Sequence, residues 1–495
     1  MIKISLARWK RKNWKDISKT AKGVRPLFNK RGLTPFNKIE KNMSQEIIKF
    51  LTAGNVDDGK STLIGRLLHD TDSLYQDQIE EVKKSTDKSF DGDLDFSLFL
   101  DGLTSERAQK ITIDVAYRYF SHRGKKFIIA DAPGHEQYTR NMAVAAANSD
   151  IIIILVDATK GVKTQTIRHS YIAHLFGIKN VILAVNKMDL VNFDYDVFDN
   201  IRKTYLEKTA DLGFENIYFV PIVAMLGDNI VEKSNKISWY SGKTIIDYLL
   251  EVETKPQSQE LTRFQVQGLA KHENKRYYQG LLSSGDLRVG EEIMVYPAKE
   301  SAKITKIIHS EKEAKNANFG SSISIVLDRD VDLDRGGLVV NSDNRPYFAN
   351  HFSSYLIWFS ADEFITKESK EYLIKINHNY LRAKVNNINH IIDINNLANV
   401  DDPKQYQHET IILNQIANVN LSISQETAFD LFKSNKNTGS FLLIDKNNNE
   451  TVACGVISNF LPKQDKAKDQ QEEFLLELSQ LVKKYFGNKN IDFTI

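Results

Sequence analysis

The 495-residue sequence predicts a wound α/β domain followed by two small β-barrel domains, and three observations carry that expectation. Short apolar strands alternate with longer amphipathic stretches from Ile47 to about Glu251. A polar, Pro-containing segment, VETKPQSQELT, then breaks the pattern. Beyond it come short alternating strands punctuated by Gly and Asn, such as RFQVQGLA, SISIVLD and YLIKINH, the text of barrels or sandwiches.

Taken in chain order, residues 1–42 carry 13 Lys/Arg against 2 Asp/Glu and lack the continuous apolar run of a secretory signal. They read as a basic, disordered extension with no function assigned, and the remainder has a net charge of −9. Residues 43–255 are expected to form the α/β domain, 260–345 the first barrel and 346–460 the second. In 461–495, Phe474, Leu475, Leu478, Leu481, Val482 and Phe486 recur at helical spacing, which predicts a terminal amphipathic helix.

Composition narrows the function classes. Hydrophobic residues at 41% and charged residues at 26% belong to a folded globular chain. The single cysteine, Cys454, excludes an intramolecular disulfide and a cysteine-built zinc cage, and fits a reducing compartment. The apolar run Ile151–Val156 is far short of the roughly 18–20 residues of a membrane-spanning helix. A soluble, cytoplasmic protein is expected.

The chemistry sits where the strands end. Gly54-Asn55-Val56-Asp57-Asp58-Gly59-Lys60-Ser61 matches G-x-x-x-x-G-K-[ST], after the strand-like Ile48–Ala53 and before the helix-like Ser61–Leu68. Such a loop wraps until its N–H groups face phosphate oxygens. Lys60 and the helix start supply positive charge, the Ser61 hydroxyl can bind Mg²⁺, and Thr62 follows in the same binding set. Asp131-Ala132-Pro133-Gly134-His135 closes the apolar strand Phe127–Ala130, where an Asp holds Mg²⁺ and a Gly N–H meets a γ-phosphate. Thr112, between the two motifs, can bring its hydroxyl to Mg²⁺ and its N–H to the γ-phosphate.

Asn186-Lys187-Met188-Asp189 follows the buried strand Val181–Val185. A carboxylate at Asp189 can accept from N1–H and the exocyclic amine of guanine, donors that adenine lacks at those positions. Leaving it unpaired is costly, so the tetrapeptide points to GTP over ATP. The histidines His169, His174, His351 and His390 form no ligand-spaced cluster, and Cys454 reads as a buried small residue.

The phosphate loop, Thr112, DAPGH and NKMD, in that order and before two β domains, resemble the translational GTPase superfamily. Within it the wording is similar to the regulatory GTPase subunits of sulfate adenylyltransferases, in GNVDDGKSTLIGRLLHD, DGLTSERAQKITIDVAYRYF, FIIADAPGHEQYTRNMA and KGVKTQTIRHSYIAHLFGIKNVILAVNKMDLV. Similarity continues through WYSGKTIIDYL, GLLSSGDLRVGEEIMVYP and NTGSFLLID, and covers nearly everything from Met43 onward.

The resemblance implies an elongation-factor-like fold and a GTP-hydrolysing subunit of a heterodimer or higher multimer. Its partner would be a catalytic subunit of ATP-pyrophosphatase type, which forms adenylyl sulfate and pyrophosphate from ATP and sulfate in sulfate assimilation. By analogy His135 orients the attacking water, and the Ala224 N–H meets guanine O6. Two residues depart from the family pattern: Lys110 stands where a Gly is usual, and Val223 replaces the serine of the base-binding loop. The alternative is an elongation-factor-like GTPase binding aminoacyl-tRNA. The body charge of −9 gives nucleic-acid binding little support.

Overall fold

A computed structural model describes residues 47–74, 76–85, 94–99, 114–135, 138–252, 261–273, 275–393 and 409–462. The basic extension, Thr112, Lys110 and the expected C-terminal helix lie outside the described residues.

The first strands are β1 (Ile47–Ala53), β2 (Ala116–His122), β3 (Lys125–Asp131), β4 (Ile151–Asp157), β5 (Asn180–Asn186) and β6 (Asn216–Pro221). They form one sheet in the order β2-β3-β1-β4-β5-β6, with β2 antiparallel to β3 and the other pairings parallel. Helices α1 (Lys60–Asp70), α2 (Gln76–Ser85), α3 (Thr139–Ala147), α4 (Thr164–Leu175), α5 (Tyr195–Thr209) and α6 (Ile245–Glu251) fall between or after them.

All seven residues of β4 are buried because the sheet is covered on both faces. Ile152, Ile154 and Val156 pack with Met142 of α3, Ile172 of α4 and Phe198 of α5. Their alternates Ile151, Ile153 and Leu155 pack with Leu63, Ile64 and Leu67 of α1 and Ile246 and Leu249 of α6. The period of two thus splits one apolar run between two cores. Parallel strands also place their carboxyl ends, and the loops that leave them, on one edge.

The second sheet runs Glu292–Tyr296, Leu338–Asn341, Arg263–His272, Lys275–Ser284, Ser322–Leu327, Glu300–His309 and Lys312–Ala314, and Glu300–His309 pairs again with Glu292–Tyr296. The third is a closed barrel whose longest strands are Tyr347–Trp358, Asn379–Ile391 and Ile416–Phe429. A buried fork joins the two. Arg263 donates from Nε and Nη2 to the two oxygens of Asp430 at 2.7 and 2.8 Å, and Thr438 Oγ1 donates to the same carboxylate at 2.6 Å. The closed barrel also shares a core with the α/β domain: Ile357, Ile416, Phe432 and Val456 lie in one cluster with β4, α3 and α4, and Phe176 meets Phe432 edge to face. Cys454 is half-buried at this junction, and burial pushes its thiol up to about 12, so it stays protonated near neutrality.

Candidate functional site

β1 ends at Ala53, and the chain turns through Gly54–Gly59 into α1. The turn is held from within. Asp58, 1% exposed, accepts from the Asn55 backbone N–H at 2.7 Å and from its side-chain amide at 3.0 Å. Gly59 sits at φ 94°, and a Cβ there would stand 2.4 Å from Asn186 Nδ2, so only glycine serves both the turn and the close approach. Lys60 is buried, with Nζ donating to the carbonyls of Gly54 (2.9 Å) and Asn55 (2.7 Å). Burial lowers the Lys60 pKa, and the nearby Asp131, Asp58 and Asp57 carboxylates pull it back up.

Asp131 lies at the end of β3, 2% exposed, with Thr52 Oγ1 donating to it at 3.4 Å. Ala132, Pro133 and Gly134 continue inward, and His135 is exposed at the rim. A Cβ on Gly134 would lie 2.3 Å from Lys60 Nζ and 2.5 Å from the Gly54 carbonyl. The two motifs therefore touch at a point where any side chain would intrude.

At the end of β5, Asn186 ties three segments together. Its Nδ2 donates to the Asp58 carbonyl at 2.8 Å, and its Oδ1 accepts from Ala224 N–H at 2.9 Å. Lys187 Nζ donates to Asp157 at the end of β4, 2.8 Å away. Burial alone would raise the Asp157 carboxyl, but Lys187 and the two donors of Thr159 hold it down at about 2. A depressed carboxyl contributes stability that is complete above its ordinary value of 3.8 and lost as pH falls through about 2. Asp157→Asn is therefore expected to lower the melting temperature at pH 7, with the gap to wild type narrowing between pH 4 and pH 2 in thermal melts.

These loops surround a cleft of about 450 Å³. It is lined by Val56, Asp57, Gly59, Lys60, Ser61 and Thr62 of the first motif and α1, by Gly134 and His135 of the second, and by Asn186, Lys187, Asp189, Val223, Ala224 and Met225 from the loops after β5 and β6. Of the residues expected at the site, Gly54, Asn55, Asp58, Asp131, Ala132 and Pro133 back the lining without forming it. The Met188 side chain is fully buried in the core beside α5 and is not part of the lining. Ala224 lines the cleft, and its N–H donates to Asn186 Oδ1.

The expectations did not include Asp95 and Leu190, which also line the cleft. Nor did they include Arg66, whose Nη1 donates to the Met225 carbonyl at 3.3 Å and braces the loop after β6. Neither Asp95 nor Leu190 belongs to a motif. Arg66 had a signal: it lies four residues after Thr62, on the same face of α1.

Sulfate adenylyltransferase subunit 1 of Saccharophagus degradans is 41% identical over 455 residues, 90% of this chain and 94% of its own. The protein of that name from Shewanella woodyi is 38% identical over 460 residues, covering 92% and 96%. This chain belongs to the sulfate adenylyltransferase subunit 1 family. A further member from Buchnera aphidicola subsp. Acyrthosiphon pisum is 40% identical over 459 residues, covering 92% and 95%. Domain by domain, the Elongation factor Tu GTP binding domain family matches residues 45–265, and the GTP-eEF1A C-terminal domain-like family matches 351–458.

Membership in the subunit 1 family makes the chain part of an enzyme with more than one kind of subunit. The aminoacyl-tRNA alternative is not favoured, because near-full-length similarity runs to the sulfate adenylyltransferase family. Among the described residues no helix is long and apolar enough to cross a membrane.

Proposed function

We propose that this subunit binds GTP with Mg²⁺ in the cleft, hydrolyses it, and couples the hydrolysis to adenylyl sulfate formation on a separate catalytic subunit of ATP-pyrophosphatase type. The supporting observation is that a single cleft is lined by residues of the phosphate loop, Gly134-His135 and Asn186–Asp189. A nucleoside triphosphate has a matching order, with charged phosphates at one end and a base at the other. Lys60 and the amides at the start of α1 would face the phosphates, and Asp189 the guanine.

Mg²⁺ fits this donor set. Ser61 offers a hydroxyl and Asp131 a buried carboxylate beside the phosphate cradle, and Mg²⁺ takes few protein oxygens, completing its shell with phosphate and water. Thr112 is proposed as a third contributor. Among the described residues there is no cluster of three His, Cys, Asp or Glu side chains that would hold a transition metal instead. When bound, Mg²⁺ neutralises charge on the phosphates.

His135 is exposed at the rim, next to buried Gly134, and it lines the phosphate end of the cleft. We assign it the positioning of the attacking water. His135→Ala is then expected to slow single-turnover GTP hydrolysis about a hundredfold while changing affinity for a non-hydrolysable GTP analogue less than about threefold. Equal losses of affinity and no slowing of hydrolysis would exclude the role.

The purpose of the coupling lies in the partner's reaction. Sulfate adenylation is energetically unfavourable, and GTP hydrolysis supplies drive. Catalytic copurification partners tested with and without GTP would report the coupling directly. We assign it to residues 131–141 and 109–114, the segments next to the expected γ-phosphate and Mg²⁺ contacts Gly134 and Thr112, as in GTPase switches that respond to a partner.

A further inference from the structure

Of the three aspartates that line the cleft, Asp57, Asp95 and Asp189, only Asp95 belongs to none of the sequence motifs. Its position is set by the residue after it. Phe96 is 5% exposed and begins a short 3-10 turn, Phe96–Phe99, laid along α1. A Cβ on Gly65 of α1 would stand 2.0 Å from the Phe96 carbonyl, so glycine permits the contact. The Phe96 ring then packs against Arg66, whose guanidinium carbon lies 5.0 Å from the ring centroid, and meets His69 edge-on at 5.3 Å.

Arg66 is itself fixed at both sides. Its Nε donates to Asp70 at 2.7 Å, and its Nη1 reaches the Met225 carbonyl in the loop at the base end. Thr62, Gly65, Arg66 and His69 share one face of α1, and Phe96 covers that face just beyond Thr62. Asp95, the residue before Phe96, lines the cleft together with Thr62 and Met225, and Arg66 links the Phe96 ring to the Met225 carbonyl.

In a nucleotide held by the phosphate loop and by Asp189, the group between phosphates and base is the sugar. A carboxylate here is poorly suited to the phosphates, which it would repel, and well suited to hydroxyl donors, whose hydrogen bonds to a charged acceptor are strong. We propose that Asp95 accepts hydrogen bonds from the ribose hydroxyls of the bound nucleotide and so selects ribonucleotides over deoxyribonucleotides. The inference rests on the nucleotide reading of the cleft and adds to it the sugar contact.

The test is calorimetry on the full-length chain with GDP, 2′-deoxy-GDP and 3′-deoxy-GDP, using wild type, Asp95→Ala and the near-isosteric Asp95→Asn. Wild type should bind GDP about tenfold or more tighter than at least one deoxy analogue. That ratio should fall to within about twofold in Asp95→Ala and by at least about threefold in Asp95→Asn. A wild-type ratio near one, or a ratio preserved in both variants while all affinities drop together, would overturn the proposal. Failure of the wild-type chain to bind GDP at all is a separate result, and it would remove the nucleotide reading together with the sugar contact.

Discussion

Asp189→Asn is expected to weaken GDP binding at least about a hundredfold and to turn the preference toward XDP. Asp189 lines the base end of the cleft, on the short 3-10 turn after β5. The neighbouring Asn186 is anchored to the Asp58 carbonyl and to Ala224 N–H, and the turn is tied back through Met188 N–H to the Ile222 carbonyl at 3.3 Å. The carboxylate is thus presented from a braced frame. Two hydrogen bonds to a charged acceptor contribute about 1.5–3 kcal/mol each, and their loss together exceeds the roughly 1.4 kcal/mol per tenfold change in affinity at least twice over. An asparagine amide can instead donate to the 2-carbonyl of xanthine. Calorimetric titration with GDP and XDP reads both effects, and unchanged GDP affinity would exclude guanine recognition by this residue.

The second large effect is expected at Lys60. The residue is 8% exposed, and its ammonium is close to Asp131, Asp58 and Asp57 and held by two loop carbonyls. Gly134 approaches so closely that a methyl group would collide with it. This charge stands where the phosphate loop meets the second motif, and truncating one member of a buried charge pair costs about 2–5 kcal/mol. Lys60→Ala should therefore reduce GDP affinity about 10²–10³-fold. A loss under about threefold would contradict a phosphate-binding role. The contrast with His135→Ala, where binding persists and hydrolysis slows, separates ground-state charge neutralisation from water positioning.

What was legible in the sequence follows the range of the interactions. The strands bearing the motifs end where the apolar runs end, at Ala53, Asp131 and Asn186, because burial and local backbone preference set those limits. The phosphate loop was readable for the same reason, since Gly59 must adopt a left-handed turn and Asp58 caps Asn55 three residues away. Contacts between distant segments were not readable. Ala224 N–H goes to Asn186 across 38 residues, and Asp95 reaches the cleft only because Phe96 docks at Gly65. The barrels show the same division. Alternation marked their strands, but the pairing of Ile416–Phe429 with both Tyr347–Trp358 and Asn379–Ile391 joins segments far apart in the chain.

Labour is divided between a GTP-hydrolysing subunit and a sulfate-adenylating partner. This division is tested most directly by measuring pyrophosphate release from ATP plus sulfate with this chain alone, with the catalytic subunit, and with both plus GTP or a non-hydrolysable analogue. The expected result is no sulfate-dependent release by the chain alone, a rise in release when GTP is added to the two subunits together, and no sustained rise with the analogue. Sulfate-dependent pyrophosphate release by this chain alone, or a two-subunit rate indifferent to GTP, would contradict it.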